Sequence, residues 1–479
     1  MNPYRFAPAK RFTIGCTLVW LAAATIAEES RMPGLKVSAE RRTLETNDGQ
    51  PFFWLGDTAW ELFHRLDLNE VRRYLDDRAA KGVNVIQAVA LAELDGLTVP
   101  NRQGHLPLVN SDPSIPDVRP GPSDDYWDFV DRVITEAETR GLYVGLLPTW
   151  GRYVTSHPFE GRVDGIFTEE NAAQYGQFIG QRLANHSNIV WILGGDRAPA
   201  SKEAIAIWRA MAQAIEQSIA TSGVQHSPLM TYHTSGPGHA SDYLHAEPWL
   251  DFTSAQSSHG NLVESWRFVE RHWNTQPTKP MIDLESSYPG ILIKAEWLPP
   301  TIRAAHPSTE PANDDHARRA AYWSVFAGAC GFTYGHNSIW QMYTPDRKGL
   351  FEPNLTWEQA LSVPSAVQMG YLRQLMERFP LTERIPDQSL FVPDAGKQAA
   401  HRRATRTHQW AMIYTPDGQT FSLRLGVLDG HQLHMQWFNP RSGEYLSTSM
   451  LSNAGQQTFD PPGEPGDGRD FVLILRTAN

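Results

Sequence analysis

Short, largely apolar runs recur along the first three quarters of the chain, at 52–55, 83–91 (with Gln87 inside), 143–147, 189–193, 229–232, 280–284 and 331–334, and the more polar stretch 251–255 falls in the same series. Runs that are apolar throughout, rather than alternating, read as strands buried on both faces of a parallel sheet. Amphipathic stretches with helical spacing lie between most of them, at 68–82, 124–140, 169–184, 202–221, 262–273 and 314–329, with a last one at 356–379. The first opens on a capping box, Asp67-Leu68-Asn69-Glu70, and closes at Gly82. Eight such strands, seven of them followed by a helix, predict an α/β fold, a (β/α)8 TIM barrel over 28–384. No Gly-rich dinucleotide fingerprint follows the first strand, which argues against an open doubly wound sheet, and no cofactor is expected.

The pattern then changes. Short strands at 410–414, 420–425, 432–439 and 470–475 are separated by turn signals, Asp417-Gly418 and Asp429-Gly430. They predict a small all-β sandwich domain over 385–479. Two stretches rich in Pro and polar residues, 92–123 and 288–312, interrupt the barrel. So long an irregular connection in a compact domain marks a functional loop.

At the N-terminus, Lys10 and Arg11 precede an apolar segment, 12–27, that ends among Ala22, Ala23, Ala24 and Ala27. A basic start, an apolar middle and a small-residue exit predict a secretory signal over 1–27 and a secreted or periplasmic mature chain. The segment is shorter than the roughly 20 apolar residues of a membrane span, so no membrane association is expected after cleavage. The signal contains Cys16, leaving Cys330 as the one cysteine of the mature chain, which rules out an intramolecular disulfide.

Composition narrows the partners. The chain has 479 residues, 41% hydrophobic and 20% charged, and its net charge is −11 with no long basic run. That excludes a disordered chain and leaves no nucleic-acid footprint. The 16 Trp and 15 Tyr suit stacking on sugar rings, although the same residues fill cores.

Reacting groups of such barrels sit at the C-terminal ends of the strands. The strand-end set is Asp57, Gln87, Trp150, Asp196, His233, Gln256, Glu285 and His336, with Trp60 and Tyr288 just beyond. Asp196 follows 189–193 through Gly194-Gly195, and Glu285 follows 280–284. Glycosidic cleavage needs two carboxyl groups across the bond, one protonated and one ionised. Asp196 and Glu285 fit that pair, and the other polar and aromatic groups fit hydroxyl recognition and ring stacking of an oligo- or polysaccharide. Asp57 also suits a structural role, and Gln87 and Gln256 could instead satisfy buried carbonyls. His233, His239, His245 and Glu247 raise a metal-dependent hydrolase as a competitor, but their spacing matches no zinc motif and no metal is expected. A non-catalytic carbohydrate-binding barrel is the other alternative.

GDTAW at 56–60, WILGGD at 191–196, the Gln256 strand end and DLESSYPG at 283–290 resemble the apiosidase-like family, glycoside hydrolase family 140. The tail resembles a small β-domain often attached to it and labelled collagen-binding. The resemblance implies an Asp acid/base matching Asp196 and a Glu nucleophile matching Glu285. It further implies a retaining mechanism on apiose-containing pectin, such as side chains of rhamnogalacturonan II. One departure is that strand four of the broader retaining clan usually ends Asn-Glu, where this chain has Gly195-Asp196.

Overall fold

The computed structural model of the chain describes Met1 and residues 32–155, 165–259, 264–292 and 311–478. Apart from Met1, the segment read as a secretory signal lies outside the described residues. So do 262–263 of the fifth predicted helix and 293–310 of the second long loop.

Eight parallel strands build the barrel: β1 (Trp54–Thr58), β2 (Val85–Leu91), β3 (Tyr143–Thr149), β4 (Ile189–Gly194), β5 (Leu229–His233), β6 (Thr253–Gln256), β7 (Met281–Glu285) and β8 (Gly331–Tyr334). Every residue in them is buried, which is why the sequence shows continuous apolar runs rather than alternation. Their spatial order is β5-β4-β3-β2-β1-β8-β7-β6, with the short strand Gly238–His239 added antiparallel to β6. The sheet curls until β5 meets β6, where side chains add to a backbone bond from the Asp251 amide to the Met230 carbonyl at 3.0 Å. The Thr231 hydroxyl donates to the Phe252 carbonyl at 2.8 Å, and the Met230 amide donates to the Asp251 carboxylate at 2.8 Å.

A helix follows each strand: α1 (Leu68–Ala80), α2 (Tyr126–Glu138), α3 (Glu169–Leu183), α4 (Lys202–Thr221), the single turn α5 (Ser241–Leu244), α6 (Trp266–His272), α7 (Asp314–Phe326) and α8 (Pro364–Glu377). The predicted capping box is present at α1: the Asp67 carboxylate accepts from the Glu70 amide at 2.9 Å, and Glu70 accepts from the Asp67 amide at 2.8 Å. The predicted last helix is two, Trp357–Ala360 and α8, because Pro364 at the first turn has no amide to continue an earlier helix. Ahead of β1, Leu35–Val37, Leu44–Thr46 and Pro51–Phe52 form a small antiparallel sheet that, Phe52 apart, lies outside the predicted strand series. Phe52 packs edge-on against Tyr143, at the N-terminal start of β3, with ring centroids 5.2 Å apart. This sheet therefore lies toward the end of the barrel opposite the strand exits.

The C-terminal residues form two sheets, as the sandwich prediction requires. One has six strands, in the order Ile385–Pro386, Arg403–Arg406, Trp410–Thr415, Phe471–Thr477, Gln432–Asn439 and Glu444–Ser452. The other has three, Phe391–Val392, Phe421–Arg424 and Gln456–Phe459. The two-residue period of a strand divides the larger sheet between two cores. Ala411, Ile413, Phe471 and Leu473 pack toward the smaller sheet, whereas Trp410, Met412, Tyr414, Val472 and Ile474 join the core of the barrel. Tyr414 stacks on Tyr322 of α7, with centroids 4.9 Å apart and rings inclined by 14°. Asp470 forms a bidentate ion pair with Arg318 of α7, at 2.7 and 2.9 Å. Both partners are 1% exposed.

Candidate active site

The strands β3, β4 and β5 leave the barrel through a tightly stitched turn. The Gly195 amide donates to the His233 carbonyl at 2.9 Å, and the Gly151 amide donates to the Gly195 carbonyl at 3.1 Å. Gly194 and Gly195 have φ of +92° and +121°, and a Cβ on Gly195 would lie 2.7 Å from the Trp150 ring. Only glycine fits both the left-handed backbone and the close approach. Asp196, with φ +50°, emerges from this turn.

A cavity of about 390 Å³ opens at the strand exits. Of the residues singled out in the sequence, Trp60, Trp150, Asp196, Gln256 and Glu285 line it. His233 sits just behind: its ring is 5.3 Å from Trp60 and 6.3 Å from Trp150. Its Nδ1 accepts the Asp196 amide at 3.2 Å. That bond leaves the ring proton on Nε2, which lies 3.1 Å from Glu285 Oε2. One imidazole thus ties the turn that carries Asp196 to the carboxylate of Glu285.

The other oxygen of Glu285 meets a residue that the sequence reading missed. His259 Nε2 lies 2.9 Å from Glu285 Oε1, and its Nδ1 lies 2.8 Å from the Ser286 carbonyl. A carbonyl only accepts, so Nδ1 carries a hydrogen. One further proton must then occupy the contact between Nε2 and Oε1. Tyr288 holds this ring from the side, with centroids 4.6 Å apart, while its hydroxyl donates to Thr58 at 2.8 Å.

The two carboxyl groups are driven in opposite directions. Burial alone would raise the Glu285 carboxyl, but the His233 and His259 imidazoles outweigh it and hold the group below the usual carboxylate range. Asp196 is raised, first by its enclosed position and then by the charge of Glu285, with Arg197, His233 and Gln256 pulling the other way. Its side chain is 42% exposed, toward the cavity. A third acid, Glu93, also lines the cavity and was likewise missed. Burial, then the charges of Asp196 and Glu61, push it up to about 8. Gln256 Oε1 and Trp150 Nε1 are buried without a protein hydrogen-bond partner among the described residues. Such atoms suit a polar ligand, because leaving them unpaired is costly.

Besides His233, four expected site residues lie outside the cavity lining. Asp57 is fully buried inside β1, where Trp54, Gly56 and Thr58 face the barrel interior and Asp57 faces outward. There it accepts from Tyr74 and pairs with Arg78 of α1, each at 2.6 Å. Its place is a strut between strand and helix. Gln87 lies within β2 and not at its end; it accepts from Thr333 at 3.0 Å and donates to the Leu284 carbonyl at 3.2 Å, beneath the cavity floor. Tyr288 acts through His259, as described above. His336 caps the turn Asn337–Trp340 by accepting the Ser338 amide at 3.1 Å, and burial pushes it down to about 4.

The histidines considered for a metal are dispersed. His239 stacks on His272 at 4.0 Å, His245 bonds Ser241 and the Pro277 carbonyl, and Glu247 pairs with Arg209. Among the described residues no group of three or more His, Cys, Asp or Glu is placed to hold a metal ion. Cys330 is buried, with its thiol donating to the Met281 carbonyl and pushed up to about 12 by burial, as befits a core residue. No helix of the described residues is long and apolar enough to cross a membrane.

A family model described as "Apiosidase-like, catalytic domain" matches residues 38–383. The chain belongs to the apiosidase-like family. A second model, "Putative collagen-binding domain of a collagenase", matches residues 385–476. The apiosidase-like chain is similar to a solved glycoside hydrolase at 31% identity, with a TM-score of 0.83 over 93% of this chain and 97% of the other. It is equally similar to a structure described as a glycoside hydrolase family 5 from Bacteroides vulgatus ATCC 8482, at 31% identity and a TM-score of 0.82, covering 93% of both chains. Among curated proteins none matches. Family and neighbours together make this chain a glycoside hydrolase, and its substrate class is carbohydrate.

Proposed function

We propose that this glycoside hydrolase acts outside the cytoplasm on plant cell-wall pectin, at apiose-containing side chains such as those of rhamnogalacturonan II, with retention of configuration. Asp196 is the acid/base and Glu285 the nucleophile. The observation that carries this reading is the opposed tuning of two carboxyl groups in one cavity. Glu285 is kept ionised by two imidazoles, ready to attack an anomeric carbon, while Asp196 is biased toward its protonated form, ready to protonate the leaving oxygen. In the second step Asp196, now ionised, takes a proton from water as that water displaces Glu285. Glu93, neutral at pH 7, adds a hydrogen-bond donor for a sugar hydroxyl, and the tilted pair Trp60 and Trp150, 5.3 Å apart, supplies ring faces.

The pectic substrate rests on the family's apiosidase-like character, and the location on the basic-then-apolar N-terminal segment. The C-terminal β-domain acts as a stabiliser of the barrel through its shared core. The test is a product assay on a panel of pectic oligosaccharides, with and without apiose branches. Release of fragments from the branched members alone is the expected result; turnover of the unbranched ones alone would refute the substrate assignment. Asp196→Asn should lower turnover by about 10²–10⁴-fold, the worth of a positioned acid/base, with the fold intact by circular dichroism. Near-wild-type turnover would remove Asp196 from the chemistry.

A further inference from the structure

The cavity lining is lopsided. Its polar groups come from the loops after β2, β4, β6 and β7, while the side next to β8 is apolar: Ile291, Trp340, Leu350 and Phe351. This side is unusually well fixed. Phe351 and Glu352 are consecutive non-glycine residues in the left-handed region, with φ of +55° and +54°. Backbone of this kind persists only where its surroundings over-determine it. Here two fully buried amides do so. Gln341 accepts the Leu350 amide at 2.8 Å and donates to the Leu350 carbonyl at 3.0 Å, while Asn337 donates to the Phe351 carbonyl at 2.9 Å. Asn337 also donates to the Gly290 carbonyl at 3.0 Å, which anchors the residue before Ile291 to the same network. The outcome is a phenylalanine left 38% exposed at the edge of a sugar-sized cavity. One side of this ring packs on Trp340, with centroids 6.4 Å apart, and the strained, doubly pinned backbone fixes the ring in the cavity lining.

We propose that this wall is a specificity subsite for a methyl-bearing sugar residue, one whose ring carries a C-methyl or O-methyl group where an ordinary sugar has a hydroxyl-bearing group. The proposal rests on the hydrolase reading of the cavity. Aromatic faces alone would accept the C–H face of many sugars. The addition of the aliphatic Ile291 and Leu350 favours a methyl group specifically, because an aliphatic surface gains from burying a methyl and loses by stripping water from a hydroxyl. No polar side chain among these four residues offers a hydroxyl a direct partner, apart from the indole N–H of Trp340. That N–H donates to Asn337 at 3.3 Å and so is already engaged.

The test uses matched sugars and reads binding, so it does not depend on the cleavage reaction. Affinities for the Glu285→Gln chain are measured by calorimetry or ligand-observed NMR. L-rhamnose is compared with L-mannose, which differ only by methyl against hydroxymethyl, and 3-O-methylglucose with glucose. The methyl-bearing member of at least one pair should bind about tenfold more tightly, the scale on which an apolar pocket reads a single carbon. Phe351→Ala should abolish that ratio, and Phe351→Leu, which keeps an aliphatic surface, should restore most of it. Preference within the first pair alone identifies a 6-deoxy sugar, and within the second alone an ether. Equal binding in both pairs, or a preference that survives Phe351→Ala, would overturn the proposal. If no pectic fragment is cleaved but the preference is present, the substrate reading falls and the subsite stands.

Discussion

Glu285 is enclosed in the barrel mouth and yet held below the ordinary carboxylate range, because His233 and His259 face its two oxygens at 3.1 and 2.9 Å. His259 is the cleaner of the two to remove, since the His233 ring also accepts the Asp196 amide at 3.2 Å. On the proposed mechanism the rate requires Glu285 ionised and Asp196 protonated, so activity is expected to fall on the acid side as Glu285 gains its proton and on the alkaline side as Asp196 loses its own. Removing the His259 ring takes away one of the two groups that hold the Glu285 carboxyl down and so raises its pKa. His259→Ala is therefore expected to shift the acid limb of the pH–rate profile upward by roughly one unit or more, leaving the alkaline limb nearly in place. A uniform loss of rate at every pH would show that His259 does not set the ionisation of Glu285. Neither His259 nor Glu93 was legible in the sequence. Each lies two or three residues beyond a strand, in a loop with no periodicity to mark it. The one available signal for Glu93 is its position just past the end of β2, whereas Gln87 lies inside the strand.

At the scale of elements, the turn after β4 decides where Asp196 points. Gly195→Ala places a methyl 2.7 Å from the Trp150 ring in a backbone region that side chains disfavour. The expected loss is about 1–3 kcal/mol of stability, visible as a lower Tm, together with a fall in turnover larger than the change in Tm would explain. Unchanged turnover at a lowered Tm would show that the turn is only structural. The strands themselves were legible because burial on both faces leaves an unbroken apolar signature, and α4 was read to the residue because Ser201 caps it by accepting the Ala204 amide at 3.1 Å. The placement of Asp57 was misread because β1 runs on through Thr58. A boundary shifted by a few residues turned an outward strand position into a strand end. The strand Glu444–Ser452 escaped notice because it lies at the sheet edge, where exposed Ser and Thr replace the apolar alternation.

For the whole molecule, the β-domain is built into the barrel rather than tethered to it. Its large sheet contributes one face to each of two cores, and the Arg318–Asp470 pair is buried at the seam. Asp470→Ala would leave the buried Arg318 guanidinium with only Asp315 and Gln368, each at 2.7 Å, and the Tyr414 hydroxyl without its acceptor, a loss of about 3 kcal/mol. The chain should then melt at a lower temperature, still in one transition. Separate melting of the two parts in the wild-type chain would contradict the shared core. The two-part organisation was legible from the change of period near residue 385, whereas the seam was not, because a residue's contacts across 150 positions leave no local pattern.

The central claim is that one glycosidic bond is cleaved between Asp196 and Glu285 with a covalent link through Glu285. It is tested most directly by following an apiose-branched pectic oligosaccharide by NMR through the first turnovers, with the wild-type chain and with Glu285→Gln. The account predicts a first-formed product with the anomeric configuration of the substrate, and a rate at least about 10³-fold lower for the variant. An inverted first product, or a variant that turns over like the wild type, would contradict it.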